Sequence, residues 1–217
     1  MSEALLGSAL KKGIIELEIR NPRDFVSDKH LTVDDRPYGG GPGMVMMASP
    51  LLAALNSFPE GWTRDEVVLL SPGGYRFDQP LAKSITKLEE IIFVCGRYEG
   101  IDQRFIDKYC TSQISVGDYV LMGGELPALV ILETVTRLLP GVLGNKNSFL
   151  DDSFYSGDLS YPAFTRPEQF EDMTVPKVLL SGNHKRIEEA REEWSKARSK
   201  RQNLLSLKLE ELLSEIN

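Results

Sequence analysis

Hydrophobic and polar positions fall into two kinds of run along this chain. Val67 to Leu70 (VVLL) and Ile91 to Cys95 (IIFVC) are short, unbroken apolar runs bounded by turn-forming residues, the pattern of strands buried on both faces of a parallel sheet. Ile14 to Ile19 (IIELEI) reads as a further short strand. Between the two apolar runs, Asp78 followed by Pro80 starts a crossover helix predicted to reach Leu88. A longer helix is predicted from Pro127 to Leu139, because Leu129, Val130, Leu132, Val135, Leu138 and Leu139 mostly keep helical spacing, and Pro140-Gly141 ends it. The chain opens on a helix with Ser2 as cap and Gly13, after Lys11 and Lys12, as stop.

Strands alternating with helices predict an α/β fold with a parallel sheet. The periodicity lapses at Gly144 to Asp152 (GNKNSFLDD), where turn formers replace it, so a linker is expected there. Thr165 and Glu168 have capping-box spacing around Pro167, and a second helix is expected to begin near Ser181 to Asn183. The expected organisation is a sheet domain over 1–143, a linker or lid over 144–151 and a small helical domain over 152–217.

Composition narrows the class. A chain of 217 residues with 41% hydrophobic content can bury a substantial core. No apolar run approaches the roughly 18 residues of a membrane span and the first residues lack a signal-peptide layout, so a cytoplasmic protein without a membrane partner is expected. Cys95 and Cys110 are too far apart for a CxxC motif and are expected to be buried, reduced thiols. The formal charge of -7 opposes bulk coating of nucleic acid. From His184 to Arg201, however, Lys185, Arg186, Arg191, Lys196, Arg198, Lys200 and Arg201 outnumber the glutamates, which fits either a solvated helix or an RNA-contacting face.

Four glycine-rich stretches follow strands or precede helices: Arg36 to Met44 (RPYGGGPGM), Leu70 to Gln79 (LSPGGYRFDQ), Cys95 to Asp102 (CGRYEGID) and Ser115 to Pro127 (SVGDYVLMGGELP). Each alone fits a turn, but loops at the carboxyl ends of parallel strands are also where α/β proteins build ligand sites. Neither GxGxxG nor GxxxxGK[ST] is present, no HExxH accompanies His30 or His184, and no GxSxG occurs, which removes the familiar phosphate loops, a histidine-based zinc centre and a serine-hydrolase elbow. Two polar residues near the linker remain. Arg137 suits either a helix-dipole partner or a functional cation, and Asp152 either a turn cap or a functional carboxylate.

Taken in order, VDDRPYGGGPGM, LSPGG, CGRYEGID, SVGDYVLMGGELP, Arg137 with LLPGVLG, DDSF and YPAFTRPEQFEDMTVPKVLLSGNH resemble the bacterial tRNA (guanine-N1)-methyltransferase family from about Gly13 to Ile187. The resemblance implies a SPOUT-type fold, with a trefoil-knotted parallel sheet domain and a small C-terminal helical domain. It implies methyl transfer from S-adenosylmethionine to N1 of the guanosine immediately 3′ of the anticodon of tRNA, position 37. It also implies a homodimer whose sites are completed by both subunits, with the linker as a lid. By motif, the donor would meet Leu70, Ser71 and Pro72; Gly96, Tyr98, Glu99 and Gly100; and Val116, Gly117, Asp118, Tyr119, Val120, Leu121, Gly123 and Gly124. Asp34 and Gly43 would help form the guanine pocket, Asp152 would be the general base and Arg137 its partner. The family also brings in magnesium as an auxiliary ion, for which the sequence shows no dedicated ligand cluster.

The chain departs from the family at both ends. Members usually open with an apolar strand and a Leu-Phe-Pro-Glu segment before the helix that here starts at Ser2; without them the sheet is expected to lack one strand, through a start placed too late or a shortened form. After Ile187 an arginine-rich helix usually leads to Pro-Asp-Leu-Leu, where this chain reads SKRQNLLSLKLEELLSEIN. Two other readings use the same features: a donor- or RNA-binding module without catalysis, and a related SPOUT enzyme acting on ribosomal RNA or another tRNA position. Asp152 and Arg137 weigh against the first, and the DDSF and TRPE segments against the second.

Overall fold

A computed structural model of the chain describes residues 4–58, 67–144, 149 and 151–214. It divides into two compact units, Met1–Gly144 and Asn145–Asn217.

The first unit begins with α1 (Ala4–Lys11), closed by hydrogen bonds from Gly13 N to Leu10 O and from Ile14 N to Ala9 O. The expected cap Ser2 lies outside the described residues. IIELEI is not a strand. It alternates like one, but no neighbouring strand pairs with it among the described residues, and Ile19 is left 69% exposed. A 3-10 turn (Pro22–Phe25) leads to the antiparallel pair β1 (Asp34–Asp35) and β2 (Val45–Met46), then to α2 (Ala48–Leu55).

Next come β3 (Val67–Arg76), α3 (Gln79–Ile85), β4 (Ile92–Cys95), α4 (Gln103–Tyr109), β5 (Ser112–Ser115) and α5 (Glu125–Leu138). The three strands form one parallel sheet in the order β4-β3-β5, so α/β is the observed class. The central strand carries the core because both of its faces are covered. Val67 and Leu69 pack with Leu51, Leu55 and Phe105 from α2 and α4, while Val68 and Leu70 pack with Ile85 and Ile131 from α3 and α5. Each such side chain contributes about 1.5–3 kcal/mol relative to exposure.

Three boundaries differ from expectation. α3, capped by Asp78 accepting from Leu81 N, ends at Ile85 and gives way to turns that reach Leu88. α5 starts earlier than Pro127, at Glu125, because Gly124 can act as its cap in close contact with β4. β3 runs beyond Leu70, and its ladder with β5 breaks so that Leu70 and Tyr75 both stand opposite Ile114, with Ser71 to Gly74 leaving the ladder between them. The cysteines are half-buried, since Cys95 lies where β4 emerges into a loop and Cys110 caps α4.

In the second unit, β6 (Gln169–Phe170) and β7 (Met173–Thr174) form a hairpin, followed by α6 (Lys177–Leu180) and α7 (His184–Ser214). No helix starts at Thr165. Only eight residues separate Pro167 from Pro176, β-branched Thr174 and Val175 precede the second proline, and the chain instead reverses at Glu171, whose φ is +54°. α7 holds the segment before it: Ser195 Oγ donates to Leu159 O, Arg198 Nη1 donates to Ser160 O at 2.6 Å, and the Arg191 guanidinium lies over the Tyr161 ring at 4.5 Å. Of the expected linker, residues 145–148 and 150 lie outside the described residues. No described helix is long and apolar enough to cross a membrane.

Candidate active site

The bulge within β3 and the loops that leave the carboxyl ends of β4 and β5 meet around one cleft of ≈410 Å3. This is the place that an open parallel sheet offers a ligand, where connections depart to opposite faces and leave a crevice. From the bulge within β3 come Leu70, Ser71 and Pro72; from the loop after β4, Gly96, Tyr98, Glu99 and Gly100; from that after β5, Val116, Gly117, Tyr119, Val120, Leu121, Gly123 and Gly124. Asp118 does not line the cleft. Its exposed carboxylate faces Arg76 at 3.8 Å.

Close backbone approach shapes this cleft. Gly124 N donates to Gly96 O at 2.9 Å, and a Cβ on Gly124 would lie 2.7 Å from Cys95 Cα, so only glycine lets α5 begin against the end of β4. Arg97 and Gly123 bridge the same loops, and Arg97 Nε donates to Glu125 Oε1 at 2.7 Å. Both of those side chains are about half exposed, so the pair orients the loops more than it stabilises the fold. Beneath the β5 loop, the buried Ser115 Oγ donates to Gly117 O at 3.0 Å and accepts from Gly117 N, fixing the turn.

The RPYGGGPGM loop reaches the same loops from another side. Met46 N donates to Gly100 O and Asp102 N to Met46 O, both at 2.9 Å, so β2 runs beside the loop after β4. Gly43 has φ +79°, and a Cβ there would run into the Glu99 side chain, which packs over it. Asp34 lies in β1 with its carboxylate 18% exposed and 3.9 Å from Arg23 Nη2. Arg23 also donates to the Tyr98 hydroxyl at 2.8 Å. Sequence reading missed Arg23, Arg97 and Ser115, because their partners are set by folding and no motif marks them.

Arg137 is half-buried in the last turn of α5. Asp152 belongs to the second unit, where its backbone N donates to Phe149 O and its carbonyl accepts from Tyr155 N, both at 3.2 Å. It lines a second cleft, of ≈470 Å3, with Tyr161, His184 and Arg191. Magnesium gains no support: among the described residues no three His, Cys, Asp or Glu stand together in a way that could hold an ion.

Fold and cleft together define an α/β protein with a glycine-lined cleft at the carboxyl edge of a parallel sheet. The family model described as tRNA (Guanine-1)-methyltransferase TrmD matches residues 1–207, and the chain belongs to that family. It is 53% identical over 187 residues to a protein of Methylacidiphilum infernorum (isolate V4) named tRNA (guanine-N(1)-)-methyltransferase, covering 85% of this chain and 80% of that one. Proteins of the same name from Dictyoglomus turgidum and Clostridioides difficile are 49% and 48% identical, covering 98% and 90% of this chain and 89% and 85% of theirs.

Proposed function

We propose that this chain methylates tRNA at N1 of the guanosine immediately 3′ of the anticodon, position 37, with S-adenosylmethionine as donor. The observation that carries the donor assignment is the cleft: apolar walls from Leu70, Val116 and Leu121 face glycine backbone at Gly96, Gly100, Gly123 and Gly124. Such a lining suits an adenine ring and a sulfonium chain. S-adenosylmethionine would supply a methyl group already activated on sulfur.

N1 of guanine carries a proton and is a poor nucleophile at neutral pH, so its attack needs a base. Asp152 takes that proton. Negative charge then builds on O6 of the base, and the Arg137 guanidinium stabilises it. Asp34 and Gly43 help hold the guanine, while Asp118 is retained only as a backbone neighbour of the donor loop. The linker 144–151 closes over the base and excludes water.

The proposed organisation is a trefoil-knotted sheet domain (1–143) and a C-terminal helical tRNA-binding domain (152–217), working as a cytoplasmic homodimer with shared sites. Since Arg191 and Arg198 bind the segment at Ser160 and Tyr161, the tRNA phosphates fall to Lys185, Arg186, Lys200 and Arg201.

The test is methyl transfer from labelled S-adenosylmethionine to unmodified tRNA transcripts with and without the guanosine after the anticodon, using the chain and its Asp152→Asn variant. Transfer confined to that guanosine and lost in the variant, with donor binding kept, is the expected result. Near wild-type turnover by Asp152→Asn would remove the base from its role, and transfer to transcripts lacking the guanosine would overturn the position.

A further inference from the structure

Arg23 joins two parts of the site that the sequence keeps apart. It sits in the turn Pro22–Phe25, whose start is fixed by Asn21 accepting from Arg23 N at 3.1 Å. Its guanidinium meets three segments at once. Nη1 donates to Leu31 O at 2.7 Å, Nη2 donates to the Tyr98 hydroxyl at 2.8 Å, and the same Nη2 lies 3.9 Å from an Asp34 carboxylate oxygen. Tyr98 lines the cleft after β4, and Asp34 lies on the strand that leads into the glycine loop.

Both hydrogen-bond acceptors occupy backbone that side-chain-bearing residues rarely adopt: φ is +50° at Leu31 and +61° at Tyr98. Such conformations persist where surrounding contacts hold them, and they cluster where geometry matters to function. One planar, permanently charged fork reaches all three groups, which the single ammonium of a lysine does not reproduce.

We infer that Arg23 is a positioning residue for methyl transfer, holding Tyr98 as a wall of the donor cleft and Asp34 toward the guanine through one guanidinium. This rests on the reading of the cleft as the donor site. Loss of Arg23 frees the Tyr98 ring and the Asp34 carboxylate together, so it affects both substrates, whereas loss of the Tyr98 hydroxyl affects chiefly the donor.

The experiment measures S-adenosylmethionine affinity by calorimetry, and KM and kcat for a tRNA transcript, in the full chain and in Tyr98→Phe, Arg23→Gln, Arg23→Lys and the Arg23→Gln/Tyr98→Phe double variant. Tyr98→Phe and Arg23→Gln are each expected to weaken donor binding about fivefold, the worth of one such hydrogen bond. The double variant should be no weaker than Arg23→Gln alone, because both changes remove the same contact. Arg23→Gln should also raise the KM for tRNA beyond that of Tyr98→Phe, and Arg23→Lys should not restore it. Donor losses that multiply in the double variant would overturn the inference. So would a lowered melting temperature in Arg23→Gln with donor affinity and KM within about twofold of wild type, which marks a merely structural residue. Should Arg23→Gln not fold, Arg23→Lys replaces it in the same cycle. A wild-type chain that binds no donor overturns the cleft assignment itself and this inference with it, a result distinct from normal binding with multiplying losses.

Discussion

Cys95 stands where β4 runs out into the donor loop, and burial pushes its thiol up to about 11, with Glu125 adding to the rise and Arg97 opposing it. An unfolded chain gives up that proton near 9.0, so between the two values the unfolded state ionises while the folded state does not. Stability is therefore unaffected by this group below pH 9 and falls as pH rises toward 11. Urea unfolding of wild type and Cys95→Ala across pH 8 to 11 should show a slope that the variant loses; parallel curves would dissociate the thiol from it. Arg137 makes a different residue-scale prediction. If it acts on charge that develops at O6, Arg137→Ala lowers single-turnover methyl transfer by about 100-fold or more with donor affinity nearly kept. An unchanged rate would leave it a helix-end residue.

At the scale of elements, the start of α5 is the most constrained feature beside the cleft. Gly124→Ala drives a methyl group into the Cys95 and Gly96 backbone, so the helix must retreat from β4. We expect a drop of several degrees in melting temperature together with loss of donor affinity. Asp78→Ala is the contrast: it removes the cap of α3, away from the cleft, and should cost about 1 kcal/mol with donor affinity unchanged. Equal effects on donor binding would break the link between the α5 start and the cleft. The elements that could be read in advance were those whose burial is written in composition. VVLL and IIFVC are apolar throughout because helices cover both sheet faces, and Asp78-Pro80 announces its own helix start. IIELEI misled because alternation describes the half-exposed face of a strand but says nothing about whether a partner lies alongside. Thr165 and Glu168 misled because the fate of Phe170 depends on the pairing of Gln169 with Thr174. The glycine stretches were visible as breaks in the apolar pattern, although LSPGG proved to be a bulge within β3, and the meeting of three of them in one cleft needed the strand order β4-β3-β5, which no local pattern contains. Arg23 was illegible for a stronger version of the same reason, since Tyr98 lies 75 residues away along the chain.

At the scale of the whole molecule, the proposed shared site makes assembly a condition of activity. The segment after β5 leaves apolar side chains in the open: Val120 is 85% exposed, Met122 92% and Leu126 62%. Leu126 and Val130, one helical turn apart on α5, form an exposed apolar pair on the helix that also carries Arg137. A net charge of -7 gives general repulsion between copies, which burial of a local apolar face of this kind would offset. Light scattering of the wild-type chain should therefore give twice the 24.3 kDa of one chain. Replacing Leu126 and Val130 with arginine places charges where the two copies would meet, and should yield a folded monomer by circular dichroism that has lost methyl transfer. Wild-type chain that is monomeric and fully active would end the shared-site proposal. A dimeric double-arginine variant would instead move the interface away from this face of α5 and leave the shared site intact.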